Sequence, residues 1–170
     1  MYLALKAAVE MAALTDNEAD IPAYRTQMES IEANFNDTFW QGDRYRSPGY
    51  GGATDDRANA MAVIAGLAET EYYDAILEVL KTQRHASPYM EKYVLESLYL
   101  MGFPEEALAR MKQRYQAQID SDLTTLWEGW GLEGRDTYNH AWSGGPLTIL
   151  SQFAAGVEPD EAGWASFSVL

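Results

Sequence analysis

The segment Arg57-Ala58-Asn59-Ala60-Met61-Ala62-Val63-Ile64-Ala65-Gly66-Leu67-Ala68 reads as a helix of small residues, apolar almost all round. Such a helix has to be covered on more than one side. The next segment, from about Glu71 to Lys81, carries Tyr72, Tyr73, Ile76, Leu77 and Leu80 on one side only, so it can cover a neighbour and still face water. The pair then recurs. Ser87-Pro88 opens a segment apolar on most faces, with Tyr89, Met90, Tyr93, Val94, Leu95, Leu98, Tyr99 and Leu100, and Gly102 closes it as a left-handed cap. Pro104-Glu105-Glu106 begins its partner at a favoured first turn. Leu108, Met111, Tyr115 and Ile119 give that partner one stripe, with Arg110, Lys112 and Arg114 among its polar neighbours. Apolar helices alternating with amphipathic ones, in units of helix-repeat length, predict an inner layer covered by an outer one. A simple helical bundle also fits the periodicity. It gives no reason for the long glycine- and aromatic-rich loops ahead of the apolar helices. A toroid of hairpins does, because its inner helices start at a central funnel.

The flanking segments extend the pattern. The chain is rich in Ala, Leu and Met up to about Leu14, is broken by Asp16-Asn17, and resumes as a helix at Pro22 with Tyr24, Met28, Ile31, Phe35 and Phe39 as its stripe. Trp40 to Thr54 is a long loop of Gly, Pro and aromatic residues, with room for a short strand. Thr54-Asp55-Asp56 caps the helix that follows, its acids at the positive end. A last helix runs from about Gly145 to Ala155, capped by Gly156. The tail Gly163–Leu170 alternates like a strand. The expected division is residues 1–160 as a partial hairpin domain and 161–170 as the start of a truncated β domain. Met1-Tyr2-Leu3-Ala4-Leu5-Lys6 lacks a signal-peptide pattern. It reads as the middle of an amphipathic helix, so the chain is expected to begin inside a larger protein.

Charge and composition remove several functions. Twelve basic against 26 acidic residues give a net charge of −14, which argues against nucleic acid and against an anionic membrane surface. With no cysteine, disulfides, thiolate nucleophiles and Cys-based zinc sites are excluded. His85 and His140 are far apart with no metal-ligand spacing, so neither metal nor cofactor is expected. The compartment, bacterial cytoplasm or periplasm/extracellular, is not fixed by these features.

The chemistry concentrates near the C-terminal end. Thr124-Thr125-Leu126-Trp127-Glu128-Gly129-Trp130 places a carboxylate between two indoles, and Tyr138-Asn139-His140-Ala141-Trp142-Ser143-Gly144-Gly145-Pro146 follows. Aromatic walls with a few fixed polar groups suit sugars, whose C–H faces stack on rings while their hydroxyls need hydrogen bonds. Glu128, if desolvated by Trp127 and Trp130, is expected to have a raised pKa and to work as an acid or base. A surface glutamate in an aromatic loop fits the same residues, and a glycosidase needs a second carboxylate. His140 is placed to donate to a sugar hydroxyl. His85 reads as a structural hydrogen-bonding residue. Capping accounts for Asp55 and Asp56. Gly144-Gly145-Pro146 lacks the Lys and Ser/Thr of a phosphate loop, and Ser143 sits in no nucleophile elbow.

Several stretches in order carry a resemblance. Thr125-Leu126-Trp127-Glu128, Asn139-His140-Ala141-Trp142-Ser143-Gly144 and Ala155-Gly156-Val157-Glu158-Pro159 resemble the C-terminal half of the bacterial α-L-rhamnosidase catalytic domain. Thr54–Ala60 and Ser87-Pro88-Tyr89 leading into Val94–Leu98 are similar to its inner-helix starts. The resemblance implies an all-α chain, a partial (α/α)6 toroid of about three hairpins with a strand-like tail. It also implies inverting hydrolysis of terminal α-L-rhamnosyl bonds in a rhamnose-containing glycoside. Glu128 is then the general base, His140 a sugar contact, and the general acid lies upstream; Asn139, Trp127, Trp130 and Trp142 line the same site. This chain departs from the family in having Gly129 before Trp130, where a second aromatic often follows Trp-Glu directly. Two alternatives stay open: a non-catalytic helical-repeat module binding carbohydrate or protein, and a six-hairpin enzyme on another glycan. A partial toroid is also expected to expose apolar helix surface and to self-associate through it.

Overall fold

The computed structural model describes residues 1–131, 134 and 136–169. Its helices are α1 (Tyr2–Leu14), α2 (Ile21–Phe39), α3 (Asp56–Ile64), α4 (Tyr73–Thr82), α5 (Pro88–Leu100), α6 (Pro104–Ile119) and α7 (Gly145–Ile149). A π-helical turn continues α7 over Leu150–Ala154. The helices pair in sequence as α1/α2, α3/α4 and α5/α6, and α3, α5 and α7 pack side by side. This is the partial hairpin toroid that the alternating pattern predicts, with three hairpins and the first helix of a fourth. No described helix is long and apolar enough to cross a membrane.

Local chemistry explains the boundaries. Asp55 caps α3 by accepting the Arg57 N–H at 2.7 Å. Ser87 caps α5 by accepting the Met90 N–H, and Pro88 and Pro104 occupy first-turn positions. Gly102 and Gly156 take the left-handed conformation, with φ of 87° and 68°, as expected of helix ends. One boundary differs. The apolar run to Ala68 stops being helical after Ile64, because Gly66 turns left-handed at φ 73° and redirects the chain.

The inner helices are the buried ones. Ala60, Ala62, Val63, Val94 and Leu98 of α3 and α5 form one cluster with Ile76 and Leu80 of α4. Leu95, Met111, Tyr115 and Ile149 tie α5, α6 and α7 together in a second. The loop after α2 is ordered from within. Trp40 bridges to Tyr45 as an isolated antiparallel pair and stacks on Tyr72 at 4.0 Å. Buried Asn59 accepts the Tyr45 N–H at 2.8 Å and donates to Thr54 Oγ1 at 2.9 Å.

The α6 stripe is drawn differently from the sequence reading. Ile119 is 69% exposed, whereas Arg110 is 4% exposed, because buried carboxylates on α3 and α5 receive the guanidinium. The α2 stripe is only partly covered. Ile31, Phe35 and Phe39 line a cleft of about 770 Å³ between α1/α2 and α3. At the C-terminal end, strands β1 (Val157–Pro159) and β2 (Phe167–Val169) pair antiparallel. They lie on either side of the expected boundary after residue 160. Exposed apolar surface is present on α1 and α7, at Met11, Leu14 and Leu147.

Candidate active site

The Trp-Glu segment is held by backbone pairing. The Glu128 N–H donates to Thr137 O at 2.9 Å, and the His140 N–H donates to Leu126 O at 3.0 Å. The Thr125 hydroxyl donates to Tyr138 O. Gln118, buried at the end of α6, clamps the segment from below. Its Oε1 accepts the Trp127 N–H at 3.1 Å and its Nε2 donates to Gly129 O at 3.4 Å. The Ser143 hydroxyl, also buried, donates to Trp127 O. Ser143 is therefore a brace for the loop.

This scaffold brings Glu128 and His140 together. Glu128 Oε2 accepts the Thr137 N–H at 2.9 Å, lies 3.1 Å from Thr137 Oγ1, and stands 3.7 Å from His140 Nδ1. The His140 ring packs on Trp142 with centroids 4.1 Å apart, and Trp142 Nε1 donates to Glu128 O at 3.3 Å. Trp142 is 42% exposed, so one indole faces outward next to His140. Tyr89, at the start of α5, extends that surface, with its ring 5.5 Å from Trp142. In the sequence Tyr89 counts only toward the apolar segment and the helix start; its position directly after Ser87-Pro88 is the signal for a place at the site. Asn139 is exposed next to His140.

The three indoles do not act alike. Trp127 is 4% exposed and so presents no open face, contrary to expectation. Trp130 is partly buried against Leu95, Met111 and Tyr115. Its Nε1 donates to Ala86 O at 2.7 Å, and the Arg114 guanidinium lies 4.0 Å over its ring. The reason is common to both: the loop lies across α6, and the nearest apolar surface for these rings is the core. They anchor the loop, and Trp142 supplies the exposed face.

The expected raised pKa of Glu128 is also corrected. The Thr137 N–H first, then its hydroxyl, hold the carboxyl below its ordinary range; the little burial present opposes them, and His140 adds to them wherever it is protonated. Hydrogen bonds to the ionised form outweigh desolvation. A carboxylate kept ionised suits a base and not an acid.

Gly129 has a structural cause. A Cβ there would lie 2.0 Å from Asp136 Oδ2, so the side-chain space at this position belongs to Asp136.

The two consecutive acids at the start of α3 divide their work. Asp55 caps, as predicted, and pairs with Arg57. Asp56 is fully buried and, contrary to expectation, its described hydrogen bonds run to other segments rather than capping α3. Its Oδ2 meets Arg110 Nη2 at 2.6 Å, and its carboxylate accepts the N–H groups of His85 and Ala86. Arg110 also forks onto buried Glu91, at 2.6 and 2.9 Å. The sequence signal was present: Arg110 falls between Ala107 and Met111 at core spacing. His85 itself contributes through its backbone, while its exposed ring contacts Gln83 at 3.2 Å. Among the described residues no group of three or more His, Asp or Glu side chains is placed to hold a metal. The cleft beside α1 and a smaller one of about 360 Å³ between α4 and α6 lie away from Glu128.

A sequence profile described as the bacterial alpha-L-rhamnosidase 6 hairpin glycosidase domain matches residues 1–153. Among solved structures, the chain is similar to a GH78 family rhamnosidase of Bacillus sp. GL1, at 23% identity and a TM-score of 0.78 over 99% of this chain. It is similar also to an α-L-rhamnosidase from Dictyoglumus thermophilum, at 24% identity and a TM-score of 0.79 over 98% of this chain. The chain spans 20% of the length of each. No curated protein matches the sequence.

Proposed function

The chain belongs to the bacterial α-L-rhamnosidase six-hairpin glycosidase family, and from that premise we propose that it carries the water-activating half of an inverting site for terminal α-L-rhamnosyl bonds. Glu128 is the general base. His140 and Asn139 contact the sugar, Trp142 supplies a stacking face, and Trp127 and Trp130 hold the loop that presents the carboxylate. The general acid comes from sequence upstream of these residues, at the ~6.5–9.5 Å separation that an inverting mechanism leaves for a water between two carboxyl groups. A rhamnose-containing glycoside is the substrate.

One observation carries this reading. Glu128 is held ionised by Thr137 and stands 3.7 Å from His140, whose ring packs on the outward-facing Trp142. Its described contacts fall on Oε2, which leaves Oε1 to polarise a water. In the transition state the base accepts a proton from that water as the glycosidic bond breaks, and the upstream acid protonates the departing oxygen.

The test is hydrolysis of an aryl α-L-rhamnoside by the full-length protein and its Glu128→Gln variant. A loss of at least about a thousandfold is expected, with β-L-rhamnose as the first-formed anomer by NMR. Full activity in the variant would sink the assignment. Saccharide binding without turnover by the unaltered protein would instead favour a binding module.

A further inference from the structure

Thr137 stands between the two groups that the proposed reaction uses. Its Oγ1 is 3.1 Å from Glu128 Oε2 and 3.0 Å from His140 Nδ1, and its backbone N–H donates to the same Oε2 at 2.9 Å. A hydroxyl has one hydrogen to donate and lone pairs to accept with, whereas an ionised carboxylate only accepts. The Thr137 hydrogen therefore goes to Oε2. The hydrogen in the second contact must then come from His140 Nδ1. A neutral imidazole protonated at Nδ1 presents its other nitrogen, Nε2, as an acceptor.

We propose that Thr137 is a positioning residue of this site: it ties down one oxygen of Glu128 and sets His140 in the Nδ1–H tautomer, whose Nε2 accepts a hydrogen bond from a sugar hydroxyl. The inference rests on Glu128 as general base. It reverses the direction expected from the sequence, in which His140 donates. The specificity consequence follows: the sugar must offer a hydroxyl hydrogen at this point, so a deoxy or O-methyl analogue at the contacted position loses the bond. The described charged group nearest the carboxylate is His140; the Asp136 carboxylate lies against Gly129.

The experiment compares Thr137→Val, Thr137→Ser and Glu128→Gln in the full-length protein. Valine keeps the shape and removes the hydroxyl; serine restores it. Thr137→Val is expected to lower kcat about tenfold, the size of one lost hydrogen bond to a charged group. It also moves the acidic limb of kcat/KM upward, and Thr137→Ser returns both toward the unaltered protein. Independently of turnover, the ¹⁵N shifts of His140, identified by their absence in His140→Gln, should show hydrogen on Nδ1 in the unaltered protein and lose that preference in Thr137→Val. An Nε2–H tautomer in the unaltered protein overturns the proposal. So does an unchanged pH profile and kcat in Thr137→Val. If Glu128→Gln is inactive while Thr137→Val behaves normally, the base assignment stands and this inference alone fails; if Glu128→Gln is fully active, both fall.

Discussion

Asp56 Oδ2 and Arg110 Nη2 meet at 2.6 Å with both side chains all but sealed from solvent. The pair joins the start of α3 to the middle of α6. Arg110 adds Glu91 of α5 and the carbonyls of Leu80 and Gln83 at the end of α4. Every member of two hairpins is thus tied to one guanidinium. Asp56 orders Ala86, whose carbonyl in turn receives Trp130 and Arg114. The network therefore reaches the Trp-Glu loop.

Arg110→Met leaves buried Asp56 without its cation and buried Glu91 with Arg114 alone, at 3.5 Å. Breaking a buried pair from one side costs about 3–5 kcal/mol. Chemical denaturation of the full-length protein should show a loss of that order in the unit containing α3–α6. Arg110→Lys is expected to fall between the two, since a lysine cannot fork onto both carboxylates.

Gly145 and Gly129 are both crowded, but by different neighbours. A Cβ on Gly145 would lie 2.6 Å from Lys92 Cβ and 3.4 Å from its Cα, so α7 would have to lift off α5. Gly145→Ala should destabilise by about 1–3 kcal/mol, the range for overpacking. The nearest atoms to a Cβ on Gly129 belong to the exposed Asp136 side chain, which can swing away. Gly129→Ala should cost less than about 1 kcal/mol, and pairing it with Asp136→Ala should remove the clash. Thermal melting of the two single variants, side by side, reads the difference.

Trp142 and Tyr89 present an exposed aromatic surface beside Glu128. If that surface stacks on the sugar, Trp142→Ala raises KM about tenfold, at the upper end of an aromatic contact, with a smaller fall in kcat. Trp127→Ala should instead lower stability and kcat together, because its ring is buried under the loop. Steady-state kinetics of both variants separates wall from anchor.

The pH dependence has a definite sign. Thr137 and His140 hold the Glu128 carboxyl below its ordinary value of 4.5, so the base form persists as pH falls past that value. Activity that needs the ionised group is present above its lowered pKa and lost as pH drops through it. The acidic limb of kcat/KM, which reports the free enzyme, should therefore lie below 4.5 in the unaltered protein.

Much of this is legible in the sequence. Ser87-Pro88, Gly102 and Pro104 mark helix ends by their own stereochemistry, and the structure places boundaries there. The Asp55 cap and the buried faces of α3 and α5 follow from capping chemistry and periodicity. Glu128 and His140 were selected by residue type and resemblance. Their 3.7 Å approach depends on a backbone pairing between two loops that no local pattern encodes.

The alternation of inner and outer helices is written in the chain itself, because side-chain periodicity and cap stereochemistry act within a few residues. Packing of the hairpins sets what each polar group in that frame does. It buried Arg110 rather than Ile119, since the guanidinium's partners lie on other helices. It lowered the Glu128 pKa where indole neighbours suggested the opposite, since Thr137 donates from nine residues away. It turned Trp127 and Trp130, two of the three tryptophans expected to line the site, toward the core. Charge and hydrogen bonding are settled by proximity in space, and that proximity exists only once the hairpins have packed.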